Sequence, residues 1–252
     1  MAPRARAPQP WENRVFVFWT GSNEMSEARR RCLETLVSTQ CDIVVVNNDN
    51  LAPWMATTPL HPAYPFLSPI HRSDYLRAYF MHHHGGGYSD IKRTSQTWLP
   101  AFRKLKESSA LGVGYPELRH GVAKIARSRV EGSYYLLERK SSYLRNYLLY
   151  RKLKLFHGRL IGNCAFIFKP GTEFTSRWLA IVESRLDILL PHLRNHPARY
   201  PKERQGVDYG DGPSKYTVPW SLLLGDILAP LSFQYRTKIL RDLPMPDFCE
   251  YE

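Results

Sequence analysis

Two short runs hold the residues best suited to chemistry: Ser73-Asp74-x-x-Arg77 and Gly85-Gly86-Gly87-Tyr88-Ser89-Asp90-Ile91-Lys92. On a helix, Asp74 and Arg77 stand at i and i+3 and share a face. The carboxylate there can accept hydrogen bonds from sugar hydroxyls, and the guanidinium is a fixed cation for a phosphate or hydroxyl oxygen. Gly86 and Gly87 allow a sharp turn and a close approach of backbone to a ligand. Asp90 closes a short extended piece, where a carboxylate can reach a divalent metal held by a diphosphate. Taken singly, these pieces read as a surface ion pair, a helix stop and a turn residue. Their order and spacing together are harder to dismiss. His82-His83-His84 cannot chelate one ion together, because consecutive helical positions point in different directions. At a helix C-terminus the dipole favours partly protonated imidazole, and a structural role is expected.

Positioning these residues falls to an alternation of helical and strand-like segments. Arg14 to Trp19 is an apolar, β-prone run closed by Thr20-Gly21-Ser22-Asn23. Ser26 to Thr39 carries a helical period with Ser26 as N-cap. Asp42 to Asn47 is apolar almost throughout, as in a buried parallel strand. Ligands on such strand–helix–strand units bind at the carboxyl ends of the strands, which puts Trp19, Thr20, Gly21 and the Asn47–Asn50 turn on the binding edge. A proline-rich loop over 51–70 precedes a helix from His71 to Met81, with Tyr75, Leu76, Tyr79 and Phe80 on its apolar side. The glycine run stops that helix. Further on, the pattern predicts a helix near Trp98–Leu105 and strands at Leu111–Tyr115 and Leu160–Phe168. A second helix is expected over Phe174–Leu190, and a polar loop over 204–215. The fold class is α/β.

The chain has 252 residues, 43% hydrophobic and 23% charged, with a formal net charge of +12. That composition is globular rather than disordered. A basic surface suits nucleic acid, anionic lipid, a polyanionic glycan or a pyrophosphate-bearing ligand. The basic and aromatic segment 134–157 reads as a helix with one very basic side, open to three uses: a plain solvated face, a peripheral contact with an anionic membrane, or a groove for a polyanion. None of the common nucleic-acid motifs is present, which disfavours nucleic acid as a partner. Cys32, Cys41, Cys164 and Cys249 form no C-x-x-C pair, so reduced, mostly buried thiols and a cytoplasmic location are expected. Met1 to Pro10 is basic and proline-rich without an apolar core, unlike a signal peptide. No stretch approaches the roughly 20 apolar residues of a membrane span.

The segment Ser73–Asp90 resembles the S-D-x-x-R…G-G-x-Y-x-D-x-D signature of the DXD-type sugar-transferase superfamily, which includes initiating α-mannosyltransferases and capsular-polysaccharide glycosyltransferases. Trp19-Thr20-Gly21 is similar to that group's opening W-x-G segment, and Leu160-Ile-Gly-Asn163 with Lys169-Pro-Gly171 to its later N…P-G region near the acceptor. The similarity is good over 14–92, fair over 160–190 and weak elsewhere. It implies a GT-A fold over residues 13–252 behind a flexible arm at 1–12: one Rossmann-like domain with a mixed, mainly parallel sheet flanked by helices. It implies a nucleotide-sugar donor held by Asp74 and Arg77, with Thr20 and Gly21 lining the nucleotide pocket. Mn²⁺ or Mg²⁺ would sit on Asp90, and transfer would retain anomeric configuration. Asn163, Asp208 and Asp211 would lie on the acceptor side. No dedicated nucleophile is nominated.

One position departs from the signature: Lys92 stands where the second aspartate belongs. In an extended strand Lys92 projects beside Asp90, where its ammonium can meet the diphosphate and replace part of a metal's charge. Otherwise a distant carboxylate, Asp208, Asp211 or Asp226, completes the metal site, or Lys92 faces solvent and Asp90 suffices. The leading expectation is a glycosyltransferase acting on a glycan, polysaccharide or lipid-linked acceptor. A non-catalytic sugar- or protein-binding relative of that fold is the alternative, and a basic nucleic-acid-binding module the third.

Overall fold

The computed structural model describes residues 11–55 and 58–249. Its main sheet has six strands: β1 (Arg14–Phe18), β2 (Asp42–Val46), β3 (Gly86–Ser89), β4 (Gly112–Pro116), β7 (Ile161–Phe168) and β8 (Ile239–Leu240). Their spatial order is β2-β1-β3-β7-β4-β8. β1 runs parallel to both β2 and β3, and β4 runs parallel to β8. β7 is antiparallel to its two neighbours, β3 and β4. The α/β reading with a mixed, mostly parallel sheet therefore holds. A separate hairpin pairs β5 (Tyr134–Leu136) with β6 (Arg139–Ser141).

Helices cover both faces, which is why the strands read as nearly unbroken apolar runs. In β7 the side-chain alternation is plain: Phe166 and Phe168 face one layer, Ala165 and Ile167 the other. The first layer contains α2 (Pro69–His83), α5 (Glu173–Asn195) and α6 (Gly225–Gln234), through Tyr75, Phe80, Phe174, Trp178, Leu186 and Ile227. The second contains α3 (Leu99–Glu107), through Phe102 and Leu105, joined by Trp98 just before it. α1 (Glu27–Thr35) crosses from β1 to β2 and is capped as expected, the Ser26 hydroxyl accepting the Arg29 N–H at 3.3 Å.

Several elements differ from the sequence expectation. Gly85 ends α2 with φ near +64°, a left-handed conformation that suits glycine. Gly86 and Gly87, however, lie inside β3. A Cβ on Gly87 would meet Val15 Cγ2 at 3.0 Å and the Trp98 ring at 3.3 Å, so sheet packing, and not ligand approach, occupies that space. The single helix expected over 134–157 is the β5–β6 hairpin followed by α4 (Tyr143–Leu155). The chain turns at Leu137, with φ near +54°, and restarts as a helix at the Ser142 cap. Buried Asn146 then donates its amide to the carbonyls of Ile125 and Tyr135, tying α4 to the hairpin. The expected 1–12 arm falls mostly on residues 1–10, outside the described residues. Trp11 and Glu12 belong to the folded body, with Trp11 against Phe102 and Glu12 paired to Lys106 at 2.9 Å.

The histidine run also behaves differently from the dipole expectation. Burial pushes all three imidazoles down, His83 to about 4 with repulsion from His82 and His84 adding to it. Their role is structural: His84 Nε2 lies 2.9 Å from the Trp54 carbonyl and His82 Nδ1 3.3 Å from the Thr175 hydroxyl. All four thiols are free, but only Cys32 is buried; Cys249 is exposed. Among the described residues no helix is long and apolar enough to cross a membrane.

Candidate functional site

A cleft of about 200 Å³ opens where β1 and β3 end. It is lined by Phe18, Trp19, Thr20 and Gly21 from the β1 end, Tyr88, Asp90 and Ile91 from the β3 end, and Ile70, Ser73 and Arg77 from α2. Arg29 and Lys202 bring further positive charge. Trp19, Thr20 and Gly21 thus lie at the carboxyl end of β1, on the edge that the strand-end rule marks, and line this cleft. Trp19 is held by its indole N–H donating to the Asn23 carbonyl at 3.0 Å. Asn48 from the turn after β2 donates to the Thr20 carbonyl at 3.1 Å. A Cβ on Gly21 would fall 2.3 Å from Asn23 Oδ1, so the exposed Asn23 side chain would have to swing away.

Arg77 organises the floor of the cleft. Its Nη2 lies 3.0 Å from Asp90 Oδ1 and 3.7 Å from Asp74 Oδ1, and its Nη1 donates to the Asn163 carbonyl at 3.1 Å. The guanidinium also sits 4.4 Å from the centroid of the Tyr88 ring. One cation thus joins α2, the end of β3 and the middle of β7. The i, i+3 pairing of Asp74 with Arg77 is present, but both are buried, so it is no surface ion pair.

The two carboxyls near Arg77 divide unequally. Burial pushes Asp74 up to about 7, against the pull of Arg77 and with help from the Asp90 charge. Burial also acts on Asp90, but Arg77, Lys92 and hydrogen bonds from Tyr88 and Cys164 more than offset it and hold Asp90 below the usual carboxylate range. Distance decides the asymmetry: Arg77 gives its nearer contact to Asp90, and the Tyr88 hydroxyl donates to the same oxygen at 2.5 Å. Two neighbouring carboxyls then resolve into one ionised and one readily protonated. Asp74 lies behind Arg77 and does not line the cleft.

Lys92 is buried and does not face solvent. Its Nζ lies 3.9 Å from Asp90 Oδ2 and 5.0 Å from the centroid of the Phe248 ring. The reason differs from the strand argument. β3 ends at Ser89, and a tight turn, with Lys92 N–H donating to the Asp90 carbonyl at 2.8 Å, returns Lys92 towards the carboxylate.

A hard divalent cation seeks several oxygen ligands. The donor set at Asp90 does not fit one. Its Oδ1 already meets a guanidinium and a phenol, and its Oδ2 faces an ammonium. Among the described residues no group of three or more His, Cys, Asp or Glu side chains gathers as a cation site. The expected helpers are engaged elsewhere. Asp208 Oδ1 accepts the N–H groups of Gly210 and Gly212, capping its own loop. Asp211 is an exposed partner of Arg199. Asp226 accepts the Ser221 hydroxyl at 2.8 Å inside the α6 layer.

Of the residues expected on the acceptor side, Asn163 alone touches this constellation, through its carbonyl on Arg77. Neither Asp208 nor Asp211 lines the cleft. Sequence reasoning missed Arg29, Ile70 and Lys202, for which no local pattern is a signal. Glu117 lies outside the cleft; burial pushes its carboxyl up to about 7 beside the backbone N–H groups of Leu118 and Asn163. A larger cavity of about 520 Å³ lies between the β5–β6 hairpin, Arg145, Arg177 and Gln234. None of the Ser73–Lys92 residues lines it, and its Arg177 is engaged by Glu138 and Gln234. Compared with protein-family models, curated proteins and solved structures, the chain gives no match.

Proposed function

We propose that this chain is a nucleotide-sugar-dependent glycosyltransferase of GT-A type whose donor occupies the cleft at the ends of β1 and β3. The observation that carries the reading is the Arg77 cluster: Asp74 from α2 and Asp90 from the turn after β3 meet on one guanidinium beside Trp19-Thr20-Gly21. The strand–helix–strand opening and the β2-β1-β3 parallel portion support the GT-A architecture. Asp90 Oδ2, not within hydrogen-bond distance of Lys92, offers an acceptor for a hydroxyl, with Asp74 behind, and Arg29, Arg77 and Lys202 supply positive charge for a diphosphate. Breaking the sugar–phosphate bond leaves negative charge on the diphosphate, and preset cations lower the cost of that charge.

Because Asp90 does not suit a divalent ion, the cleft cations, with Lys92 behind Asp90, replace metal charge in this reading. The cleft is smaller than the several hundred Å³ that a drug-sized ligand fills, so part of the donor stays outside it. The acceptor, a glycan, polysaccharide or lipid-linked sugar, approaches from the Asn163 side, and transfer proceeds with retention.

A thermal-shift screen of nucleotide sugars in EDTA and in Mn²⁺, followed by a transfer and donor-hydrolysis assay, tests the proposal. One donor class should raise the melting temperature equally in both conditions and be turned over. No stabilisation by any nucleotide sugar would refute it, and stabilisation only with Mn²⁺ would refute the metal-free part. Lys92 in place of an aspartate favours a second reading, a non-catalytic sugar-binding protein. Stabilisation without turnover selects that one.

A further inference from the structure

α4 carries several large apolar side chains outward. Its inner face is narrow: Asn146 and Leu153 are buried, and Leu149 and Tyr150 half-buried, against the hairpin, Val122, Ile125 and Leu160. On the opposite side Leu144, Leu148 and Leu155 are 64%, 60% and 72% exposed. Their spacing, i, i+4 and i+11, stacks them along one stripe of a helix. Arg151 flanks the stripe on one side, Arg145 and Lys152 on the other, all exposed. Tyr143, 53% exposed, stacks on Tyr147 with ring centroids 5.9 Å apart, and Phe156 is exposed at the far end of the helix.

Charge is one-signed over the whole region. From Arg139 to Leu160 there are seven Lys or Arg residues and no Asp or Glu. An ordinary solvated helix keeps its leucines inside and its charges out; here Leu144, Leu148 and Leu155 stand outside with the charges.

We propose that the outer face of α4 is a docking surface for an anionic lipid membrane. Leucines enter the acyl boundary while the flanking bases meet the headgroups, the arrangement of an interfacial helix. A polyanionic glycan or nucleic acid would use the bases but leave the leucines in water. A second copy of this chain would bring the same bases against themselves with no acid on the face to pair them. The surface stands apart from the Arg77 cleft and is independent of what the cleft binds.

Co-sedimentation with phosphatidylcholine vesicles, with and without phosphatidylserine, tests the surface. Wild type should partition onto the phosphatidylserine vesicles and weakly onto the neutral ones, and high salt should weaken it. Leu144→Ser, Leu148→Ser and Leu155→Ser should each cost up to about tenfold in partitioning. Arg151→Gln and Lys152→Gln should each cost about fivefold. These positions are exposed, and unchanged melting temperatures would confirm that the variants fold. Absence of wild-type binding to phosphatidylserine vesicles overturns the proposal. So does a triple leucine variant that binds as well as wild type, since the face would then be purely electrostatic. A dimer in light scattering that the leucine substitutions disperse would assign the face to self-association instead.

Discussion

Replacing Asp74 with asparagine should make the protein more stable at alkaline pH, and the pH dependence of that gain is the decisive part. In the unfolded chain an aspartate ionises near 3.8, whereas burial lifts folded Asp74 to about 7. Between those values the folded chain holds a proton that the unfolded chain has released. The stability tied to that proton is complete below the unfolded value and is lost as pH rises through the folded one. From pH 5 to pH 8 the loss is on the order of 3 kcal/mol. The Asp74→Asn variant escapes that loss, because its amide has nothing to ionise. Glu117, also lifted to about 7, acts in the same direction in wild type, while His71 and His83, pushed down to about 4, act in the opposite one. Only the difference between variant and wild type isolates Asp74. Urea unfolding at pH 5, 6, 7 and 8, with unchanged m-value, measures it. The Asp74→Asn gain should grow by about 3 kcal/mol over that range and level off above pH 7 to 8. A difference that is flat with pH, or that favours wild type increasingly at pH 8, refutes the assignment of the proton to Asp74. Under the proposed function the same variant should lose transfer activity, a stabilising change that disables.

Arg77→Met leaves the Asp90 carboxylate in a largely buried place with Lys92 at 3.9 Å as its nearest remaining cation, and should cost about 3 kcal/mol in urea unfolding. Gly162→Ala places a Cβ 1.8 Å from Tyr115 Cζ, so the ring must leave the α3 layer or β7 must shift. A loss of about 2 kcal/mol or more is expected, and a neutral effect in the same assay would show that the Tyr115 ring has room to move.

The helix bearing Asp74 and Arg77 was legible because Tyr75, Leu76, Tyr79 and Phe80 fall at i, i+1, i+4 and i+5 ahead of a glycine stop, and β7 because its second half, Cys164 to Phe168, is an unbroken apolar run. α6 escaped notice for the opposite reason. Its sequence GDILAPLSFQ is apolar on nearly all sides and contains Pro230, so neither period nor capping marks it. Two glycines in β3 read as loop because the Trp98 ring and the β1 backbone that exclude side chains there are distant in sequence. The site itself was half visible. The i, i+3 relation of Asp74 and Arg77 is local, but the meeting of Arg77 with Asp90 and the Asn163 carbonyl depends on how β3 and β7 pair. The turn after Ser89 likewise brought Lys92 beside Asp90 by a route that strand periodicity could not show.

The strand order has a consequence for how the protein comes to be folded. β1, β2 and β3 can associate from a contiguous stretch of chain, but Gly87 then waits for Ile167, and Val113 waits for Leu240. As the chain leaves the ribosome, β3 therefore keeps one open edge, and β4 stays without a neighbour on either side, until β7 and β8 arrive. Pairings of such sequence separation close slowly, because the loop entropy is lost before the contacts offset it. The Arg77 cluster inherits that delay: with its links to β3 and β7, it is completed only after β7 has docked.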